Sequence, residues 1–319
     1  MIPMIDRSQI ESTLRIFDDG YRHFVHETPT WKLPGAALRL DCREVWLKLE
    51  QLQTSGSFKA RGMLHRMLSN PIPPSGVIIA SGGNAGIATA AAAKLLGVSC
   101  EVFVPTISSP AKQARLKALG ATLSVTGAAY ADALAACLER QKHTGALLMH
   151  AYDQTEVVIG AGTLAAEMDR QTGRAPDTVL VSVGGGGLIS GIASWYANTS
   201  TQVIALEPTL APTLHAARAA GQPVDVSVSG VAADALGAKR IGSIAWDVTQ
   251  RQVRASLLLS DEAIRQAQLW LWQHLQIAAE PSAALGLAAL QTGAYVPKKN
   301  ETLALVICGA NLDLATLKA

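Results

Sequence analysis

One lysine stands out by its neighbours. Lys59 lies in Thr54-Ser55-Gly56-Ser57-Phe58-Lys59-Ala60-Arg61-Gly62, a Ser/Gly turn between the apolar run Val45–Leu49 and an amphipathic helical stretch. A lysine partly withdrawn from water beside such a turn can be kept as the neutral amine, the form that attacks a carbonyl carbon to make a Schiff base. Three glycine-rich turns complete the set of chemically suggestive residues, each after an apolar run. They are Ser81-Gly82-Gly83-Asn84-Ala85-Gly86, Gly184-Gly185-Gly186-Gly187 and Cys308-Gly309-Ala310-Asn311. Backbone N–H groups that open a helix attract anions, and four successive glycines leave no side chain to keep a phosphate away from them. Tight turning accounts for any one of these loops; three together point to a ligand site.

The positioning elements are short β-branched runs at 45–49, 76–80, 100–105, 122–125, 146–150, 178–183, 202–208 and 302–309. They alternate with longer alanine-rich segments such as 84–96 and 155–168, the pattern of parallel α/β sheets covered on both faces. In such a sheet the glycine turns are expected along one carboxyl edge. The βα units of residues 75–152 are expected to form a small domain, and residues 1–74 plus 153–319 a large one. A lysine together with a phosphate cradle suggests pyridoxal phosphate.

Competing signals are weaker. Val157–Ala165 contains GxGxxA after an apolar run, but it follows what reads as a helix start and lacks the acidic residue a dinucleotide ribose needs. Ser109-Pro-Ala-Lys112 has SxxK spacing without its partner motifs and reads as a helix start. The seven histidines show no metal spacing, and four cysteines far apart give neither a zinc pattern nor a disulfide framework. With 27 basic against 25 acidic residues and no basic block, nucleic acid is not expected as a partner. No apolar run reaches membrane-spanning length, and the start, MIPMIDRSQIEST, does not read as a signal peptide, so a cytoplasmic chain is expected. Only 16% of residues are charged, which suggests extensive covered surface and a homodimer.

TSGSFKARG, SGGNAG, GGGGLISG, EPSAALG (280–286) and CGANLD (308–313) occur in an order and spacing that resemble the fold-type II pyridoxal-phosphate enzymes, most of all the threonine/serine dehydratases and their serine racemase relatives. The likeness runs from about His26 to Asp313. It implies a tryptophan synthase β-like architecture, with two open, mainly parallel sheets covered by helices and the cofactor between a large and a small domain. It also implies that Lys59 is the Schiff-base lysine, with Phe58 packing beside it and Asn84 bonding the cofactor's phenolic oxygen. Gly184, Gly185, Gly186, Gly187 and Leu188 would hold the phosphate. Ser81, Gly82, Gly83, Asn84 and Ala85 would receive the substrate carboxylate, and Cys308 would face the pyridine nitrogen.

The departures carry information too. Gly82 stands where racemases have an acid/base serine, which disfavours racemisation. Ala85 replaces a common histidine, and Asp234-Ala235 the usual Asp-Gly. The cation site of the family resembles Glu207 and the carbonyl of Ala211, but the acid expected next is Thr213, so no metal is expected. The chain ends soon after the last motif, where an allosteric domain would otherwise follow. The reading is an ammonia-lyase that eliminates water from a small β-hydroxy L-amino acid, L-threonine or L-serine, to give a 2-oxo acid and ammonia. A hydroxyaspartate lyase using a cation such as Arg61, Lys239 or Arg240, a serine racemase-like activity and a non-catalytic binding paralogue remain open as alternatives.

Overall fold

The computed structural model describes residues 5–317. They form two sheets covered by helices. The larger sheet has the order β1-β2-β10-β7-β8-β9, built from β1 (Thr30–Pro34), β2 (Glu44–Lys48), β7 (Thr178–Ser182), β8 (Gln202–Pro208), β9 (Val253–Leu259) and β10 (Thr302–Val306). All its pairings are parallel except β1 against β2. The smaller sheet is parallel throughout, in the order β5-β4-β3-β6, from β3 (Val77–Ala80), β4 (Cys100–Val104), β5 (Thr122–Val125) and β6 (Leu147–Leu148). The α/β architecture expected from alternating short and long apolar segments is therefore the one observed.

Every residue of β3, β7 and β10 is buried, as expected for strands with helices on both faces. In the large sheet α11 (Pro281–Gln291) packs on β7, β8, β9 and β10, and α7 (Gly187–Trp195) on β7 and β8. Helix α6 (Thr155–Thr172) lies against α1 (Arg7–Ile16), α2 (Lys59–Leu68) and α7. The GxGxxA signal belongs to this packing. A Cβ at Gly160 would fall 2.7 Å from the carbonyl oxygen of Arg61, and one at Gly162 2.9 Å from that of Gly191, so these glycines let α2 and α7 approach α6 backbone to backbone. The small sheet carries α3 (Asn84–Leu96), α4 (Pro110–Ala118) and α5 (Tyr130–Thr144). Ser109 caps α4, accepting from the Lys112 amide, as its sequence suggests. Of the N-terminal stretch, Met1–Met4 lie outside the described residues; Asp6 and Gln9 form a capping box that starts α1.

Two strands went unread in the sequence, β1 and β9. Both are sheet edges with mixed burial, so neither shows the continuous apolar run of a central strand, and Pro34 ends β1. The glycine turns also differ from expectation. Ser81–Gly86 follows β3 in the small sheet, whereas Gly184–Gly187 and Cys308–Asn311 follow β7 and β10, neighbours in the large one. The three turns meet across two sheets rather than along a single edge.

Candidate active site

Lys59 is the first residue of α2, and the turn before it is tied to the end of β10. Ser55 and Gly56 both take left-handed backbone angles, φ 68° and 74°. The chain then straightens at Ser57, which pairs with Gly309. Phe58 N donates to the Cys308 carbonyl at 3.0 Å and Ala310 N to the Gly56 carbonyl at 2.9 Å. A Cβ on Gly56 would meet Asn311 Oδ1 at 2.7 Å, so this position needs glycine for space as well as for φ. These bonds fix the start of α2 against the strand that delivers Cys308.

The Lys59 side chain stays partly accessible, but its amine end is enclosed. Nζ donates to the Ala151 carbonyl at 2.5 Å and lies 4.9 Å from the Phe58 ring centroid. Burial lowers its pKa to about 8, with Cys308 and Glu280 pulling the other way. At Cys308 burial, then Glu280, push the thiol up to about 12, so it is neutral at physiological pH. Glu280, at the N-cap of α11, is buried and its pKa is raised by that burial. It accepts from Asn84 Nδ2 at 2.8 and 3.1 Å and from Ser282 Oγ at 2.7 Å. Asn84 in turn accepts from Asn311 Nδ2 at 2.5 Å. One residue from the small sheet is thus held by two from the large one.

The glycine loop opens α7. An added Cβ would fall 2.9 Å from Leu236 Cα at Gly184, 2.3 Å from the Tyr152 ring at Gly185 and 2.3 Å from Ala245 Cβ at Gly186, where φ is +92°. Packing therefore excludes every side chain here, and the turn is bare backbone. The amides of Gly185, Gly186, Gly187, Leu188 and Ile189 have no hydrogen-bond acceptor among the described residues. A run of unsatisfied N–H groups opening α7 fits a phosphate, and a low-pKa amine fits an aldehyde. These residues match the phosphate and the aldehyde of pyridoxal phosphate.

The remaining sequence candidates fall as follows. Ser81, Gly82 and Gly83 form the turn from β3 into α3, and Ala85 is buried in the first turn of that helix. A Cβ at Gly82 would lie 3.1 Å from both Ser108 Oγ and Val104 Cγ1, and one at Gly83 3.7 Å from the Asp234 carbonyl. Lys112 of α4 reaches across to the Asp234 carboxylate. Glu207 is fully buried and already filled: it accepts from the amides of Leu214 and His215 at 2.7 and 2.8 Å and from Ser256 Oγ at 2.7 Å, at the start of α8 (Thr213–Ala220). Thr213 Oγ1 donates to the Gly184 carbonyl at 2.6 Å. The Glu207 and Ala211 region is spent on a helix N-terminus and on bracing the glycine loop. Of the three cations considered for an acidic substrate, Lys239 is exposed and the other two are paired with carboxylates. Arg61 is completely buried between Glu50 and Glu167, and Arg240 pairs with Asp225 at the surface. Sequence reasoning gave no role to Glu280, Asn311 or the segment His150–Asp153; only the first two lay in motifs that could have flagged them.

A lysine in a two-sheet α/β scaffold, joined through Ala151 and Tyr152 to an amide-lined glycine turn, defines an enzyme that holds a phosphorylated aldehyde. Residues 21–309 match the pyridoxal-phosphate dependent enzyme family, and the chain belongs to that family. Its cofactor is pyridoxal phosphate. The chain is 34% identical over 279 residues to the L-threonine ammonia-lyase of Geobacter sulfurreducens, a match covering 86% of this chain and 68% of that protein. With the biosynthetic L-threonine dehydratase of Corynebacterium glutamicum the identity is 33% over 283 residues, covering 85% of this chain and 64% of the relative. Among solved structures, maize serine racemase superposes with a TM-score of 0.90 at 28% identity, covering 99% of this chain and 96% of that one. A threonine deaminase from T.th. superposes with a TM-score of 0.88 at 31% identity, covering 97% of this chain and 99% of that one.

Proposed function

We propose that this chain removes water and then ammonia from a small β-hydroxy L-amino acid, L-threonine or L-serine, leaving a 2-oxo acid. The observation that carries the reading is the enclosed amine of Lys59, brought to about 8 where the lysine turn, the glycine amides and the Asn84–Glu280 pair converge. Bound pyridoxal phosphate supplies an electron sink that acidifies the Cα–H of an amino acid attached to it. The chain supplies the rest. The Gly185–Ile189 amides and the N-terminus of α7 would hold the phosphate, with Gly184 and Leu188 shaping that turn. Phe58 would pack beside the ring, and Asn84, aimed by Glu280 and Asn311, would hold its phenolic oxygen. Ser81 to Ala85 would take the substrate carboxylate. Lys59 Nζ, neutral in part near pH 8, would take the Cα proton. The β-hydroxyl leaves with a proton as water; hydrolysis of the free enamine then gives the 2-oxo acid and ammonia, with no oxidant needed. The neutral Cys308 thiol would place no negative charge at the pyridine nitrogen, which favours prompt elimination over transamination.

A second reading, racemisation, has one observation in its favour. Gly82 brings no hydroxyl of its own, but Ser108 Oγ lies 3.1 Å from where its Cβ would stand. Likeness to threonine ammonia-lyases supports elimination, and the buried pairing of Arg61 weighs against a hydroxyaspartate lyase. The proposal includes a division into residues 1–74 plus 153–319 and 75–152, supported by sheet membership. It also includes a homodimer, supported by exposed Trp31, Leu52 and Trp272, and a cytoplasmic setting, supported by four free cysteines. No helix among the described residues is long and apolar enough to cross a membrane.

The test is incubation of the cofactor-loaded protein with L-threonine, L-serine, their D-isomers and hydroxyaspartates, followed by a 2-oxo acid assay and chiral analysis. We expect oxo acid from the L-hydroxy acids. No oxo acid from any of them would overturn the reading, and the opposite enantiomer at comparable rate would replace it with racemisation.

A further inference from the structure

Four residues between β6 and α6, His150-Ala151-Tyr152-Asp153, touch both the lysine and the glycine loop. The Ala151 carbonyl accepts from Lys59 Nζ at 2.5 Å. The Tyr152 ring sits against Gly185, where an added Cβ would be 2.3 to 2.4 Å from three ring carbons, and its backbone sits against Gly187. The Asp153 carboxylate accepts from Ser243 N and Oγ at 2.9 Å each and from Ile244 N at 3.0 Å, holding the start of α9 (Ser243–Gln252). Just before it, Gly242 N donates to the Gly185 carbonyl at 3.1 Å, returning to the glycine loop. One short segment therefore sets the distance between the lysine and the phosphate cradle.

What shapes this segment is His150. Its Nδ1 accepts from the Asp153 amide at 2.9 Å and from the Tyr152 amide at 3.3 Å, and its ring stands edge-on to the Tyr152 ring with centroids 4.6 Å apart. Two N–H donors aimed at Nδ1 require that nitrogen to be unprotonated, with the ring proton on Nε2. Gln154 braces the same turn, accepting from His150 N at 2.9 Å and donating to the Leu148 carbonyl at 3.0 Å.

Resting on the cofactor assignment above, we propose that His150 is a positioning residue whose unprotonated Nδ1 folds the 150–153 connector so that Ala151 meets the Lys59 amine and Tyr152 backs the glycine loop. Protonation of Nδ1 puts an N–H against two N–H donors and opens the turn, so cofactor retention becomes sensitive to acid. The groups facing the imidazole are Lys59 from α2, which opposes its protonation, and Asp153, which favours it. Tyr152, with Tyr130 of α5 beyond it, stays protonated, its pKa pushed up to about 12 by burial. The glycine loop and α9 present backbone amides. Burial lowers the His150 pKa below the usual histidine range, so the neutral ring is the resting form at neutral pH.

Two conservative variants separate the ring nitrogens. Asparagine places an acceptor where Nδ1 was and cannot titrate; glutamine reaches only toward Nε2. Apoprotein titrated with pyridoxal phosphate from pH 5 to 8, read by visible absorbance, should show His150→Asn within about threefold of the parent's affinity at pH 8 and with a smaller acid-side loss than the parent, the loss that remains being the one Lys59 imposes on both proteins. His150→Gln should bind about tenfold more weakly, the order expected when two amides lose a shared acceptor. A 15N spectrum of the parent apoprotein should show the Nε2–H tautomer, independently of cofactor. Equal affinity in both variants, or a weak Asn variant beside a normal Gln variant, would overturn the positioning role. A parent protein with no visible band, or one whose band survives Lys59→Ala, would overturn the underlying cofactor assignment instead.

Discussion

Two basic residues whose charged ends are enclosed stand two positions apart on α2 and live in opposite surroundings. Arg61 is completely enclosed and fully matched. Its guanidinium donates to both oxygens of Glu50 at 2.7 and 2.8 Å and to both of Glu167 at 2.9 and 3.0 Å. Lys48 adds a second cation, donating to Glu167 at 2.6 Å, to the Thr28 carbonyl at 2.6 Å and to Gln171 at 3.0 Å. Two cations face two carboxylates, and the cluster joins β2, α2 and α6. Burial alone would raise the Glu167 pKa, but Arg61 and Lys48 outweigh it and hold the carboxylate ionised. Lys59, by contrast, has a carbonyl as its partner and no paired carboxylate, while Glu280 is solvated by an amide and a hydroxyl rather than by a cation. The first cluster is stable because every charge has been answered. The second keeps an amine and an acid unanswered a short way apart, which shifts both pKa values and leaves them available to a ligand.

That difference requires substitutions two residues apart to fail in different ways. Lys59→Ala should lower kcat by at least about 10⁴-fold by removing the nucleophile and base together, while unfolding in urea at no lower concentration than the parent. Arg61→Met should do the converse, costing about 3–5 kcal/mol of stability because it leaves buried carboxylates unpaired, with most of the specific activity retained in the molecules still folded. Urea midpoints and active-site titration of both proteins decide it. An Arg61→Met protein of normal stability but without activity would move Arg61 into the reaction and erase the contrast.

A smaller effect is expected at Glu280, which belongs to the unanswered cluster but acts through Asn84. Glu280→Gln keeps the size and one acceptor oxygen but puts an NH₂ group against either Asn84 Nδ2 or Ser282 Oγ. A charge-assisted bond is lost, and kcat should fall about tenfold with the urea midpoint little changed. Comparable activity in this variant would show that Asn84 needs no anionic partner to aim it.

Reading the sequence brought out the parts of the site built from unusual local composition. Lys59 in a Ser/Gly turn, four glycines in a row and Asn84 at a helix start are visible because few other local structures use those residues. Central strands were legible for a similar reason, being uninterrupted β-branched runs. What stayed hidden depends on pairing between distant segments. Glu280 lies 196 residues from the asparagine it aims. The Arg61 cluster draws on residues up to 143 positions apart, and Arg61 could be taken for a free cation until its partners were seen. The GxGxxA of α6 shows the reverse error in prospect. Its glycines serve helix packing, and a local pattern cannot distinguish a backbone that must approach a phosphate from one that must approach another helix.

The smallest effect is also the most direct measure of an unanswered charge. Burial lowers the Lys59 pKa from 10.5 to about 8. Between those values the unfolded chain holds a proton that the folded one has released. The fold therefore carries no penalty from this group above pH 10.5 and acquires it as pH falls from there to about 8. A Lys59→Met apoprotein lacks the group, so its stability relative to the parent should rise as pH is lowered across that window, while Arg61 variants keep the parent slope. The same shift sets reactivity, since only the neutral amine attacks a carbonyl. Association of pyridoxal phosphate with the parent apoprotein should accelerate about tenfold per pH unit below 8 and level off above it, once its own phosphate is fully ionised. A rate still climbing at about pH 10, the ordinary range of a solvated lysine, would mean that the amine is solvated or paired like its neighbour on α2, and the two basic residues would then differ in position alone.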